Sequence, residues 1–161
     1  MFVLLLGWFI LVFDQLTKQA VRRHLVYGES RPLIDGFFNL VYVRNDGAAW
    51  NILNEHGWIL IFISLFMLVF LFYYRHSLFG TEGYFQRILL GLLLGGILGN
   101  LVDRIHFGWV TDFLDFEFGS YHYPSFNVAD SSICIAVGLY FINNIFFQKK
   151  KETDDVSVVE E

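Results

Sequence analysis

Four long apolar runs constrain this chain more than any other feature. The longest, from Gly57 to Tyr74, contains no charged residue and reaches the roughly 18 residues at which a run becomes a candidate for crossing a bilayer. The others, Phe2–Phe13, Ile88–Val102 and Ile133–Phe147, are shorter. Because 55% of the 161 residues are hydrophobic and 19% are aromatic, the chain is too apolar for an ordinary soluble domain. We therefore predict four transmembrane helices.

Extending two of the short runs brings polar residues to membrane depth. The first can continue through Asp14 toward Ala20, and the third can begin near Tyr84. The first run lacks the basic residues that precede the apolar core of a secretory signal, so we expect it to be retained. With four spans both chain ends lie on one side, and the cluster Lys149–Lys151 favours the cytoplasm. We expect the charged segment 148–161 to be a disordered cytoplasmic tail.

The segments on the opposite side of the membrane show the features of strands. FFNLVYVRNDGAAW, at residues 37–50, is rich in β-branched and aromatic residues and contains an Asn-Asp-Gly turn signal. From Phe113 to Tyr123, apolar and polar residues partly alternate, as in a half-exposed strand. The predicted fold is an all-α membrane protein of four transmembrane helices with a small extramembrane β-sheet on the external side.

Several acidic residues lie beside the predicted spans, all on the same side: Asp14, Asp103, Asp112 and Asp130. Ionisable groups at membrane depth are costly, and they usually face the bundle interior or a water-filled cavity. Two of them have local explanations. Asp14 and Lys18 are spaced for an ion pair within one helix. Asp103, next to Arg104 and one turn after Asn100, is placed for a hydrogen-bonded cap at a helix end.

Asp112 and Asp130 differ, because neither has a basic residue within four positions. If the fold brings them together in a poorly solvated site, like-charge repulsion raises one pKa and the pair shares a proton near neutral pH. One carboxylate can then act as a base toward water, while the other, protonated, donates a hydrogen bond to a developing oxyanion. Spacing alone leaves open whether they meet or are scattered loop acids.

Other chemistries receive less support. The histidines form no H-E-x-x-H pair and there is one cysteine, which argues against a zinc site, although oxygen ligands keep a hard-cation site open. Ser131 and Ser132 lack a nucleophile motif. One alternative function is a non-catalytic proton or cation carrier that uses the aspartates as relays, although the lack of charge at the centre of the second span argues against a pathway across the bilayer. A second alternative is a lipid-modifying transferase.

Two further features predict packing rather than chemistry. The third run carries Gly91, Gly95, Gly96 and Gly99, and small residues at this spacing favour close helix packing. The single cysteine, Cys134, lies within the fourth run, where we expect a buried, inert thiol.

The chain resembles the lipoprotein signal peptidase family, also called signal peptidase II. The resemblance covers roughly residues 1–147. It is carried by five motifs in order between the apolar runs: DQLTK at 14–18, VRNDGAAW at 43–50, GGILGNLVDR at 95–104, VTDF at 110–113 and FNVAD at 126–130. Trp50 stands where the family pattern has Phe, which keeps an aromatic wall.

The resemblance implies an intramembrane aspartyl endopeptidase of the bacterial inner membrane, with cytoplasmic termini and a β-cradle at the external face. Its substrates would be prolipoproteins that carry diacylglycerol on the lipobox cysteine, and it would cut just before that cysteine. The motifs place the catalytic pair on Asp112 and Asp130. Residues that support substrate binding and dyad geometry would be Asp14, Lys18, Asn45, Gly47, Ala48, Ala49, Asn100, Asp103, Arg104 and Asn127.

These observations lead to one set of expectations. Residues 1–147 form a single peptidase domain that acts as a monomer, without metal or cofactor and without nucleic acid as a partner. Membrane lipid is an expected partner, and Lys18, Arg22 and Arg23 are spaced to attract phospholipid head groups.

Overall fold

The computed structural model describes residues 1–47, 53, 56–79 and 83–148. In chain order its elements are helix α1 (Phe2–His24), strands β1 (Ser30–Ile34) and β2 (Phe38–Asn45), helices α2 (Gly57–Phe79) and α3 (Tyr84–Phe107), strands β3 (Val110–Phe118) and β4 (Tyr121–His122), helix α4 (Val128–Asn143) and a π-helical segment (Asn144–Gln148).

Four helical segments within the described residues are long and apolar enough to cross a membrane. Helices suit the bilayer because they satisfy every backbone hydrogen bond within the segment. Large apolar side chains such as Phe9, Phe62 and Phe66 are exposed on them, as expected for surfaces that face lipid. The predicted four-helix membrane fold is confirmed.

Helix α1 continues well beyond the apolar run that ends at Phe13. It passes Asp14 and Lys18, whose side chains are fully buried and lie 2.9 Å apart. The ion pair predicted from their spacing is therefore present, and it allows the helix to carry two charged groups into the bundle. The helix ends at His24, where Leu25 takes an extended conformation.

Helix α4 begins earlier than the predicted start at Ile133. Asn127 and Asp130 form a capping box, in which the Asn127 side chain accepts from the Asp130 backbone N–H and the Asp130 side chain accepts from the Asn127 backbone N–H. This reciprocal pair satisfies backbone donors that a helix start otherwise leaves unpaired. The cap thus fixes both the first turn of α4 and the position of the Asp130 carboxylate.

The prediction of a cap at Asn100 and Asp103 was wrong in position. Helix α3 continues to Phe107 and ends at Gly108, which adopts a left-handed conformation (φ 83°) and donates its N–H to the Arg104 carbonyl. Asn100 and Asp103 lie within the helix, and their side chains bond to other elements rather than to its end.

Glycines in α3 permit close helix packing, as predicted. A Cβ atom added to Gly95 would lie 2.7 Å from the Gly7 carbonyl oxygen of α1, and one added to Gly96 would lie 2.6 Å from the Ala129 carbonyl oxygen of α4. These distances are shorter than a carbon atom can occupy, so α1 and α4 reach α3 only because side chains are absent here. Helix α2 packs against α3 at Leu71 and Leu89.

We expect Gly95→Ala to lower the free energy of unfolding by about 1–3 kcal/mol, because the new methyl group meets the Gly7 carbonyl oxygen and the Cβ atom of the β-branched Ile10 side chain, neither of which can move without shifting α1. Gly138→Ala in α4 is the matched control, since its Cβ would have no neighbour within 4 Å. That change should be neutral or stabilising. Equilibrium unfolding in mixed detergent micelles measures both, and equal effects would contradict the packing assignment.

The four strands form one antiparallel sheet in the order β1-β2-β3-β4, which confirms the small sheet expected from the two external segments. Tyr42 of β2 and Phe113 of β3 are buried against Val21 and Leu25 at the end of α1. This apolar cluster anchors the sheet to the helix bundle, and it holds β3 where its Asp112 faces the start of α4.

Cys134 is exposed, so the expectation of a buried thiol was wrong. Ala129, Ser132 and Ala136 lie along the buried face of α4, and helical spacing places Cys134 on the opposite side. An apolar run can cover a whole helix in a membrane protein, so hydrophobicity does not indicate which face packs inward.

Candidate active site

Asp112 and Asp130 reach the same hydrogen-bond network from different elements. Asp112 lies within β3 and is 2% exposed, while Asp130 lies in the first turn of α4 and is partly buried. Asn127 Nδ2 donates to Asp112 Oδ1 at 2.7 Å, and Asn127 is joined to Asp130 through the helix cap. The fold therefore brings together the two acids that the sequence singled out.

Three asparagine side chains hold the two carboxylates. Asn45 donates to Asp112 Oδ2 at 2.8 Å, and Asn100 donates to Asp130 Oδ1 at 2.7 Å. Asn127 donates to Asp112 and also to the Asn100 carbonyl oxygen, the latter at 3.2 Å. Amide donors stabilise a carboxylate without adding a charge, so this arrangement fixes both groups and leaves their protons exchangeable.

The orientation of each amide is determined by its other partners. The Asn100 oxygen accepts from Lys18 Nζ at 2.9 Å, which turns its NH₂ group toward Asp130. The Asn45 oxygen accepts from the Gly47 backbone N–H at 3.1 Å, which turns its NH₂ group toward Asp112. Rotating the Asn45 amide would therefore lose two hydrogen bonds, and rotating the Asn100 amide would lose three, since its oxygen also accepts from Asn127.

The environment of Asp112 changes its acidity. Burial, followed by the negative charge of Asp130, raises the pKa of the Asp112 carboxyl to about 7. The hydrogen bonds from Asn45 and Asn127 act in the opposite direction. A carboxylic acid with this pKa can hold or release a proton near neutral pH, which is the requirement for acid and base catalysis.

A buried ionic cluster lies behind the network. Lys18 Nζ is 2.9 Å from Asp14 and 3.5 Å from Asp103, and all three side chains have no exposed surface. Asp103 also accepts from the Thr111 backbone N–H at 3.0 Å, and Asp14 accepts from the Ala129 backbone N–H at 2.9 Å. The cluster therefore ties α1 and α3 to the start of β3 and to the start of α4.

Sequence reasoning missed three residues of this cluster. Gln15 donates to Asp14, to Asp103 and to the Gly99 carbonyl, and Arg22 donates to Thr111 Oγ1 at 2.9 Å while lying 3.6 Å from Asp103. Gln15, Lys18 and Arg22 recur at helical spacing, so one polar stripe on α1 was the available signal. Thr111 had none.

Lys18 is not available to phospholipid head groups, contrary to one expectation. It is 0% exposed, and its ammonium group is used by two aspartates and Asn100. Arg22 lies over the Phe107 ring at 4.5 Å. Of the three basic residues only Arg23 is exposed.

A cavity of about 640 Å³ opens beside the two carboxylates. Arg104 lies in its wall, and its Nη2 donates to the Gly47 carbonyl at 3.4 Å. Of the predicted wall residues, Ala48 and Ala49 are outside the described part of the chain, as is Trp50. The lining residues are Val43, Arg44, Asn45, Arg104, Val110, Asp112, Tyr123, Pro124, Ser125, Phe126, Asp130, Ser131, Ile133 and Cys134.

Fold and site together define a multi-pass membrane protein in which two carboxylates share one network beside a cavity, an arrangement suited to aspartic peptidase chemistry. The family model described as signal peptidase (SPase) II matches residues 6–146. The chain therefore belongs to the signal peptidase II family, and it is an aspartic-type peptidase of a bacterial membrane. The family resemblance and the enzyme class predicted from sequence are confirmed, which excludes the carrier and transferase alternatives.

Relatives match along nearly the whole chain. A lipoprotein signal peptidase of Bacillus pumilus (strain SAFR-032) is 41% identical over 150 residues, covering 93% of this chain and 96% of the relative. One from Maridesulfovibrio salexigens is 46% identical over 145 residues, covering 88% of this chain and 91% of the relative. A solved structure of a bacterial membrane enzyme superposes with a TM-score of 0.79 at 32% identity, covering 91% of this chain and 90% of the other.

Proposed function

We propose that this chain removes the signal peptide from prolipoproteins that carry diacylglycerol on the lipobox cysteine, cutting the bond just before that cysteine. The observation that carries the proposal is the shared network in which Asn127 and Asn100 hold Asp112 and Asp130 against one cavity. The names of the relatives, lipoprotein signal peptidases, support this class of substrate.

The proposed reaction is a hydrolysis by water held between the two carboxylates. With one proton shared by the pair, the ionised carboxylate takes a proton from water as its oxygen attacks the scissile carbonyl. The protonated carboxyl group donates to the oxyanion that forms. Collapse of the tetrahedral intermediate breaks the C–N bond, and a proton passes to the leaving amine. The products are a signal peptide carboxylate and a lipidated cysteine with a free amino group.

The remaining predicted site residues are assigned supporting roles. Asn45, Asn100 and Asn127 orient the carboxylates, while Asp14, Lys18 and Asp103 hold the elements that carry them. Arg104 lines the cavity and donates to the Gly47 carbonyl, and we extend the substrate-binding wall from Gly47 to Ala48 and Ala49. The apolar surfaces of Val43, Val110 and Ile133 suit the side chains and lipid of a membrane-bound substrate.

The proposal includes the arrangement of the chain in the cell. Both termini lie in the cytoplasm of a bacterium, the cavity opens at the external face of the inner membrane, and residues 1–147 act as a monomer. Residues 148–161 form a cytoplasmic tail. The cluster Lys149–Lys151 supports this orientation, since positive charge next to a span favours the cytoplasmic side.

Lipid dependence of cleavage tests the substrate class. A diacylglyceryl chain confines the substrate to the membrane, and each buried methylene group contributes about 0.8 kcal/mol of binding. With one prolipoprotein in detergent, with and without diacylglycerol, we expect kcat/KM to fall by at least about 100-fold when the lipid is absent. A gel-shift assay reports the cleavage, and equal rates would contradict the assignment of lipidated substrates.

The pH profile tests the shared proton. Because the pKa of Asp112 is raised to about 7, the pair loses its second proton as pH rises through neutrality, and the acid needed for the oxyanion is lost. We expect kcat/KM, which reports the free enzyme, to fall about tenfold per pH unit above about 7. A profile that stays flat to about pH 9 would contradict a proton shared by the pair.

A further inference from the structure

Thr111 precedes Asp112 on β3, and its side chain is directed away from the cavity. Successive side chains of a strand lie on opposite faces. Thr111 and Phe113 accordingly contact α1, whereas Asp112 lines the cavity. Phe113 packs in an apolar cluster with Val21, and Thr111 has no exposed surface. Helix α1 therefore holds both neighbours of Asp112 from the side opposite to the reaction.

Two polar contacts fix Thr111 on that side. Its backbone N–H donates to Asp103 Oδ2 at 3.0 Å, and its hydroxyl oxygen accepts from Arg22 Nη1 at 2.9 Å. Because the donor is a guanidinium, the second contact is a charge-assisted hydrogen bond, which is stronger than a bond between neutral groups. Neither Arg22 nor Thr111 lines the cavity. Their contact can therefore affect the reaction only through the strand and the helix that it joins.

Arg22 is itself fixed in place. Its guanidinium carbon lies 4.5 Å from the centre of the Phe107 ring, and its Nη1 lies 3.6 Å from Asp103 Oδ2. Stacking on an aromatic ring and pairing with a carboxylate both restrict a guanidinium group. The Arg22 side chain is 18% exposed, so its contact with Thr111 is largely shielded from water. Arg22 is thus a rigid support on α1 for the start of β3.

The pairing of β3 with β2 is irregular next to Asp112. Val43 lies opposite Asp112 and Leu40 lies opposite Leu114, so two residues of β2 face the single residue Phe113. Such a bulge disrupts the ladder of hydrogen bonds and bends the strand. Pairing with β2 alone therefore leaves Asp112 less constrained than a residue in a regular sheet, and contacts from outside the sheet must contribute to its position.

We propose that Arg22 and Thr111 form a positioning pair that sets the orientation of the Asp112 carboxylate toward the water that attacks the substrate. This inference rests on the proposed function, since the pair acts through Asp112 and touches no substrate. A misplacement of about 1 Å can cost about 100-fold in rate, so weakening the pair lowers kcat. The cavity wall is unchanged, so KM stays near its wild-type value.

Substitutions at Thr111 test the hydroxyl group. Thr111→Val removes the hydroxyl oxygen but keeps a β-branched side chain of similar size, whereas Thr111→Ser keeps the acceptor and loses the methyl group. Cleavage of a lipidated prolipoprotein in detergent gives kcat and KM. We expect Thr111→Val to lower kcat about tenfold with KM within about twofold of the wild type. Thr111→Ser should retain about half of the wild-type kcat or more.

Arg22→Gln tests the other partner of the pair. It should lower kcat by at least about tenfold, because the shorter side chain no longer reaches the Thr111 hydroxyl. The double variant with Thr111→Val should match Arg22→Gln within about twofold, since the second substitution removes a contact that is already lost. Independent roles would instead multiply the two losses.

Asn39→Ala is the control for a loss of stability without a change at the dyad. Asn39 lies on β2, is buried and donates to Asp115 at 3.1 Å, so this variant also removes a buried hydrogen bond between β2 and β3. Equilibrium unfolding in mixed micelles compares its stability with that of Thr111→Val. We expect its kcat to stay within about threefold of the wild type.

The outcomes separate this inference from the proposed function. Wild-type kcat in Thr111→Val or Arg22→Gln, a loss in KM alone, or losses that multiply overturns the positioning pair. An equal loss of kcat in Asn39→Ala also overturns it, in favour of a general loss of sheet stability. If Thr111→Val does not fold, kcat of Arg22→Gln still decides. A wild type that cuts no lipidated substrate, or a folded Asp112→Asn protein that cuts it normally, contradicts the proposed function itself.

Discussion

Asp112→Asn and Asp130→Asn should each lower kcat by at least about 1,000-fold. Each substitution keeps the shape of the side chain but removes either the base that activates water or the acid that stabilises the oxyanion, and such groups contribute about 100 to 10,000-fold. Because the two act as one unit, the double variant should be no worse than either single variant. Cleavage of a lipidated prolipoprotein in detergent measures all three.

The control for this prediction is Asp115→Asn. Asp115 lies on the same strand as Asp112, is buried, and accepts from Asn39 and Ser125 rather than from the dyad network. We expect its kcat to stay within about threefold of the wild type. Equilibrium unfolding checks that each variant is folded, because Asp112→Asn removes the repulsion from Asp130 but also replaces an oxygen that accepts from Asn45 or Asn127. More than a tenth of wild-type kcat in a folded Asp112 or Asp130 variant would contradict their roles.

Lys18→Met should destabilise the fold more than any other single change in the bundle. The substitution keeps the length of the side chain but leaves Asp14 without a cation and Asp103 with only Arg22 at 3.6 Å, and the side chains of Lys18, Asp14 and Asp103 are fully buried. Removing one partner of a buried ion pair typically costs about 3–5 kcal/mol. Equilibrium unfolding in mixed micelles measures the loss.

Gln19→Met provides the control, because Gln19 is exposed on the same helix and the change has a similar size. It should alter the free energy of unfolding by less than about 0.5 kcal/mol. Adding Asp14→Asn and Asp103→Asn to Lys18→Met should recover part of the loss, since no buried charge then remains unpaired. A Lys18→Met protein as stable as the wild type would show that the cluster does not stabilise the bundle.

The spans and the sheet could be predicted because each leaves a local signal. Uncharged runs such as Gly57–Tyr74 have no other stable environment than lipid, and the aromatic run that forms β2 favours a strand. The ends of the helices were harder to predict. In helix α1, which extends to His24, the buried Asp14–Lys18 pair is supported by Asn100 and Asp103 of α3, and those partners are distant in sequence.

In the active site too, features that depend on neighbouring residues could be predicted, whereas contacts between distant elements could not. Asp112 and Asp130 stood out because they lacked nearby cations, and Asp14 with Lys18 stood out by spacing. The hydrogen bonds from Lys18 to Asn100 and from Asn127 to Asp112 depend on how helices and sheet meet, which no periodicity reports. Thr111 was missed for this reason, whereas the helical spacing of Gln15 and Arg22 was a signal that went unused. Cys134 was misplaced because apolar character does not distinguish the faces of a membrane helix.

Cleavage in ¹⁸O-labelled water, followed by mass spectrometry of both products, shows which bond is broken and whether water breaks it. If the Asp112 and Asp130 pair activates water at the bond before the lipidated cysteine, the released signal peptide gains one ¹⁸O in its new carboxyl group. The other product then begins with unlabelled, lipidated cysteine. Cleavage at another bond, or a signal peptide without label, would contradict hydrolysis by this pair at that position.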